Sequence, residues 1–232
     1  MDSLGPELLK LVQIIWINII LSGDNAVVIA LACRGLPPDK QRPGMVLGAL
    51  VAVVLRIVFT VAVATLLSTP FLKIVGGCLL LWIAVKLVLG EDEDSGVVQQ
   101  TERLWHAIRT VAIADAVMSL DNVLAIAAVA NDSTTLLIIG LLISVPLIVA
   151  GSAIIMALLG RLPILVWAGA ALLGWVAAEM LVSDPWLLRT LGEAFIHRIE
   201  LPAAAIGAVF VVVLGYILSR RAARHKAHEQ EA

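Results

Sequence analysis

Residues 21–26 read Leu21-Ser22-Gly23-Asp24-Asn25-Ala26, inside an otherwise apolar run. Near the middle of the chain Ser119-Leu120-Asp121-Asn122 repeats the same polar core, again with apolar residues on both sides. A carboxylate within a membrane-crossing helix costs about 2.5–3.5 kcal/mol on insertion scales. Two such placements with the same amide and hydroxyl neighbours are hard to ascribe to drift. They mark a working site inside a membrane protein.

The surrounding composition agrees. The 232 residues are 61% hydrophobic and 15% charged, against about 45–50% apolar and about 25% charged for a soluble domain. Mean hydropathy is +1.02. The expected fold is all-α, a polytopic membrane protein in one domain. Apolar runs of about 20 residues, the length that crosses a ~30 Å core, predict seven transmembrane helices at about 7–32, 44–67, 71–90, 107–130, 134–159, 162–182 and 201–219. Polar stretches separate them, including a loop at 183–200, an acidic loop at 91–104 with Glu91-Asp92-Glu93-Asp94, and a basic tail at 220–232.

With seven spans, ten Lys and Arg residues fall on the side of the C-terminus and four on the other. The positive-inside rule then puts the N-terminus outside and the C-terminus in the cytoplasm of a cell-membrane protein. The acidic loop becomes cytoplasmic, either as a solvated linker or as a lure for cations. Cys33 and Cys78 have no ligand-like spacing and read as buried free thiols. Ala30-Leu31-Ala32-Cys33 faintly suggests a cleavage region. Asp2 and Glu7 stand where a signal peptide would be basic, however, so no cleaved signal is expected.

The chain also repeats. Residues 7–90 match 105–182 through Ser22/Ser119, Asp24/Asp121 and Asn25/Asn122, then Gly48/Gly140 and Leu50/Leu142, then Gly76/Gly169, Trp82/Trp175 and Ala84/Ala177. Three spans per copy is an odd number, so the second copy enters from the opposite side. That is an inverted 3+3 repeat, an architecture associated with alternating access, with the helix at 201–219 appended.

Asp115, Ser119 and Asn122 fall on one helical face, as do Asn18, Ser22 and Asn25 in the first copy. Asp121 lies off that line on a regular helix; a local unwinding would bring it in, and Gly23 eases such a break in the first copy. Carboxylate, amide and hydroxyl oxygens are hard ligands suited to Mg²⁺, Ca²⁺ or Mn²⁺. His106, His197, His225 and His228 all lie at span ends or in polar segments, and no Cys or His lies near either motif, which argues against copper and weakens zinc. Asp115 is read either as a ligand or as the partner of Arg56, which cannot coordinate a cation. Lys86 is expected to snorkel to the interface. Glu179, its repeat counterpart, is left between a gate or proton relay and a local structural role.

At these residues the chain resembles the tellurium-resistance TerC family of integral membrane proteins, in particular its YjbE-type branch. The carriers are 21–26, Asp115 to Asn122 and the two Gly…Trp stretches. The resemblance implies a seven-helix member of a larger group that includes lysine exporters. It further implies efflux of divalent metal, chiefly manganese and also calcium, with Asp24, Asn25, Asp115, Asp121 and Asn122 as the metal site. Ser22, Ser119, Asn18, Arg56, Lys86 and Glu179 would support it.

The expected function is therefore secondary transport, in which the two repeats rock about a shared site. No P-loop occurs, so the energy would come from proton or sodium coupling or from the membrane potential. The expected partners are the metal as substrate and the lipid bilayer; no cofactor and no nucleic acid are expected. A non-transporting factor for assembly or metal loading of other proteins, and an exporter of a small organic solute, are the alternatives. Enzymatic activity is not expected: there is no GxSxG and no His within a span.

Overall fold

The computed structural model describes residues 12, 23–90, 100–130 and 134–230. Side chains are described there except at 60–68, 100–101, 120–130, 134–137, 140, 223 and 225–230. Every element among the described residues is an α-helix: α1 (Gly23–Cys33), α2 (Pro38–Ser68), α3 (Leu72–Leu89), α4 (Gln100–Ala130), α5 (Thr134–Arg161), α6 (Ile164–Val182), α7 (Pro185–Leu191) and α8 (Glu193–Gln230). Five stretches among them are long and apolar enough to cross a membrane: Pro38–Phe59, Leu72–Leu89, Leu141–Arg161, Ile164–Val182 and Glu193–Ala222. Each overlaps an expected span. The spans expected at 7–32 and 107–130 are described in part. α1 covers the end of the first, and α4 runs through the second as one helix.

Two boundaries differ from the sequence reading. The stretch 183–200, expected as a loop, is helical. Asp184 caps α7, Pro185 supplies the preset φ of a first helical residue, and Gly192 at φ 82° turns the chain into α8. α8 then continues for 38 residues, through the basic tail to Gln230. Hydropathy locates the part of a helix that lies in hydrocarbon; it does not mark where the helix ends. Cys78 also departs from expectation: Cys33 is buried, whereas Cys78 is exposed, on the α3 face that also exposes Val75 and Trp82.

The helices form two compact units, and neither is one of the sequence repeats. The first holds α1, α2, α4 and α5; the second holds α3, α6, α7 and α8. Each draws corresponding helices from both halves of the chain. In the first unit α2 packs along α4, and α5 packs on α1 and α2. Their core includes Ile29, Cys33, Met45, Val53, Val111, Leu141 and Ile148.

In the second unit α6 packs along both α3 and α8, and α3 and α8 also touch each other. The crossing with α8 is backbone on backbone. A Cβ at Gly174 would lie 2.5 Å from the Gly207 carbonyl oxygen, and one at Gly207 would collide with the Gly174 carbonyl. Small residues at such a crossing let membrane helices gain dispersion contact where burial of apolar surface gives no driving force. Gly207→Leu is expected to pry α8 from α6 and destabilise the protein by about 3 kcal/mol, the upper end for overpacking, because backbone cannot yield as a side chain would. Gly160→Ala, where nothing lies within 4 Å, is the control and should be neutral or slightly stabilising. Thermal melts in detergent compare the two.

Candidate functional site

The site grows from helical spacing. α2 buries Ala49, Ala52, Val53 and Arg56, positions i, i+3, i+4 and i+7 of one stripe. α4 buries Val111, Ala114, Asp115, Met118 and Ser119 in the same rhythm. Because α2 packs along α4, the two stripes face each other and the charged pair is carried inside. Arg56 Nη2 lies 3.1 Å from Asp115 Oδ1. Ser119 Oγ donates to Asp115 Oδ2 at 3.0 Å, and Arg56 Nε reaches Ser119 Oγ at 3.5 Å. Arg56 and Asp115 are 1% and 2% exposed, and Ser119 is fully enclosed. Each oxygen of the Asp115 carboxylate thus faces a donor, the condition under which a buried ion pair offsets its desolvation.

α1 adds the second acid. Asn25 is buried, and its backbone N–H donates to Asp24 Oδ1 at 2.7 Å. Asp24 lies within electrostatic reach of both Arg56 and Asp115. On the other side of α1, a Cβ at Gly151 of α5 would meet Ala26 at 3.6 Å. One turn of α5 either side of Ile148, Ser144 and Ser152 give their hydroxyls to the carbonyls of Leu141 and Ile148.

Of the expected metal residues, Asp24, Asn25 and Asp115 therefore share one neighbourhood, with Arg56 and Ser119. Asp121 and Asn122 lie on α4 beyond Ser119, and their side chains fall outside the described residues. Asn18, Ser22 and the acidic run Glu91 to Asp94 also fall outside them. For Asp115 the sequence left two roles open, and the bond present is the one to Arg56. Among the described residues, no three His, Cys, Asp or Glu side chains gather closely enough to hold a metal ion.

Lys86 and Glu179 belong to the second unit and bond locally. The Lys86 ammonium lies 5.2 Å from the centroid of the Trp82 ring, and Trp175 Nε1 donates to Glu179 Oε1 at 2.6 Å. The two pairs occupy matching places in the sequence repeat, each a tryptophan four residues before a charge, with the sign of the charge reversed.

The residue that sequence reasoning missed is Asp184. It is fully buried and accepts the backbone N–H groups of Trp186 at 2.8 Å, Phe71 at 3.1 Å, Lys73 at 3.2 Å and Ile74 at 3.4 Å. One carboxylate thereby caps α7 and ties down the start of α3. Phe71, at the left-handed φ of 65°, stacks on Trp186 with ring centroids 5.2 Å apart. The available signal was Asp184-Pro185, an N-cap residue followed by proline.

The profile of the integral membrane protein TerC family matches residues 4–226. The chain is 39% identical to the uncharacterized membrane protein YjbE of Bacillus subtilis over 209 residues, 90% of this chain and 95% of that one. It is 25% identical to the uncharacterized membrane protein YceF of the same organism, over 69% of this chain and 66% of that one. It is 26% identical to the UPF0053 protein YegH of Escherichia coli, over 49% of this chain and 25% of that one. No solved structure matches the chain.

Proposed function

The chain belongs to the integral membrane protein TerC family, and from that premise we propose that it is a secondary transporter exporting divalent metal ions from the cytoplasm, chiefly Mn²⁺ and also Ca²⁺. The observation that carries the reading is the buried Arg56, Asp115 and Ser119 cluster, with Asp24 and the buried Asn25 at the start of α1 in the same unit and Asp24 within electrostatic reach of it. Hard oxygen donors gathered among apolar helices suit a hard dication. Intramembrane acids of this kind mark ion pathways more often than structural contacts.

In this reading the metal is the substrate. Asp24 and Asn25 of α1, with Asp121 and Asn122 of α4, supply its oxygens. Asp115 is the acid held by Arg56, so the resting site keeps one carboxylate neutralised and two, Asp24 and Asp121, for a cation. Seven spans in an inverted 3+3 repeat complete the proposal, with the N-terminus outside and the C-terminus in the cytoplasm. The packing supports it. Exchanging the first span with the fourth and the second with the fifth swaps the α2–α4 pairing with the α1–α5 pairing, and α3 packs on its counterpart α6.

The test is Mn²⁺ and Ca²⁺ flux into proteoliposomes under a proton or sodium gradient. Wild type should carry Mn²⁺, and Asp24→Asn with Asp121→Asn should reduce flux to the level of empty vesicles. No flux of either metal by the wild type would refute transport. Equal flux by both proteins would refute the site.

A further inference from the structure

We propose that the C-terminal half of α8 is a binding site for one anionic phospholipid, with an acyl chain along an apolar groove and the phosphate on Arg220, Arg221 and Arg224. Ile206, Val209, Phe210, Val213 and Ile217 recur at three- and four-residue intervals, so they share a face of the helix. All are exposed, by 42–69%, and with Ala205 and Leu214 they line a groove of about 560 Å³. At Ile217 this groove meets a second hollow of about 200 Å³, lined by Tyr216, Ile217 and the three arginines. Apolar trough and basic cup are continuous through one shared side chain.

The dimensions select a lipid. From Ile206 to Ile217 the helix rises about 16 Å, close to half of a ~30 Å hydrocarbon core and hence to one acyl chain of one leaflet. The opposite face of α8 is committed to packing, since Gly207 lies on Gly174 and a Cβ at Gly215 would meet Val88. The basic cup is also organised for an anion. The Arg220 guanidinium sits 4.7 Å from the centroid of the Tyr216 ring, which holds its plane, and a guanidinium fork matches a phosphate with two parallel bonds. A second copy of the chain seated in parallel on this face would bring like arginine clusters together, which disfavours that occupant.

The experiment is native mass spectrometry of the detergent-purified full chain, incubated with equimolar phosphatidylglycerol and phosphatidylcholine. At roughly tenfold preference per one to two basic residues at a membrane surface, the three arginines should make the wild type retain phosphatidylglycerol over phosphatidylcholine by about thirty- to thousandfold. Arg220→Gln with Arg221→Gln and Arg224→Gln should abolish that preference. Arg42→Gln with Arg161→Gln, which removes two exposed basic residues elsewhere, should leave it intact. Val213→Trp fills the trough while keeping every arginine, and should also lower retention. An unchanged preference in the triple variant would overturn the proposal. So would loss of bound lipid to competing inorganic phosphate, which would mean a free-anion site, or disulfide cross-linking of two copies through Ile206→Cys, which would mean a dimer face.

Discussion

Arg56→Gln is expected to lower the stability of the detergent-solubilised protein by about 3–5 kcal/mol, the cost of leaving one member of a buried ion pair without its partner. Asp115→Asn in the same chain should recover most of that loss. Asp115 is almost completely enclosed, so once the guanidinium is gone only the Ser119 hydroxyl remains of its two described contacts. Neutralising the acid removes the charge that needed solvation. Arg56→Lys should fall between, because an ammonium keeps the charge but cannot reach Asp115 and Ser119 through one rigid fork. A double-mutant cycle read from thermal melts measures the coupling. Additive single effects, with a coupling below about 0.5 kcal/mol, would mean that the 3.1 Å contact contributes nothing of its own.

The second large effect is expected at Asp184, which belongs to the second unit and takes no part in the proposed chemistry. Asp184→Ala removes one carboxylate and leaves four backbone N–H groups to find other acceptors. A hydrogen bond to a charged acceptor is worth about 1.5–3 kcal/mol, and loss of a single cap about 1 kcal/mol. A total destabilisation of about 3–4 kcal/mol follows. Asp184→Asn keeps one acceptor oxygen without the charge and should cost about half as much. Hydrogen exchange localises the effect: the amides of Phe71, Lys73 and Ile74 should exchange faster while those in the middle of α5 do not. Unchanged protection at Lys73 and Ile74 would show that α3 does not depend on this cap.

Where apolar runs end at a helix breaker, the sequence located the helices closely. The expected spans 71–90 and 162–182 correspond to Leu72–Leu89 and Ile164–Val182, bounded by Pro70, Gly90 and Pro163. The stretch 183–200 was misread because polar residues outside hydrocarbon say nothing against a helix. Asp184 went unrecognised with it, as its work depends on the start of α3 more than a hundred residues earlier. Cys78 was misplaced for a related reason: a face turned toward lipid is as apolar as one turned inward, so hydropathy cannot separate them. At the site, the residue types alone marked Asp24, Asn25, Asp115 and Arg56, since charge within a span is costly. Whether Asp115 met Arg56 depended on the register of α2 against α4, which no single-helix pattern encodes.

That register has a temporal side. Arg56 precedes Asp115 by 59 residues, and a ribosome adding about 5–20 residues per second needs about 3–12 s to make them. During that interval α2 already exists and its counter-ion does not. An arginine alone at the centre of a span is among the least favourable residues to release into lipid. The nascent α2 therefore has reason to linger at the translocon, or to lean its long side chain toward a headgroup, until α4 arrives. Formation of the ion pair would then favour release of α2 and α4 together.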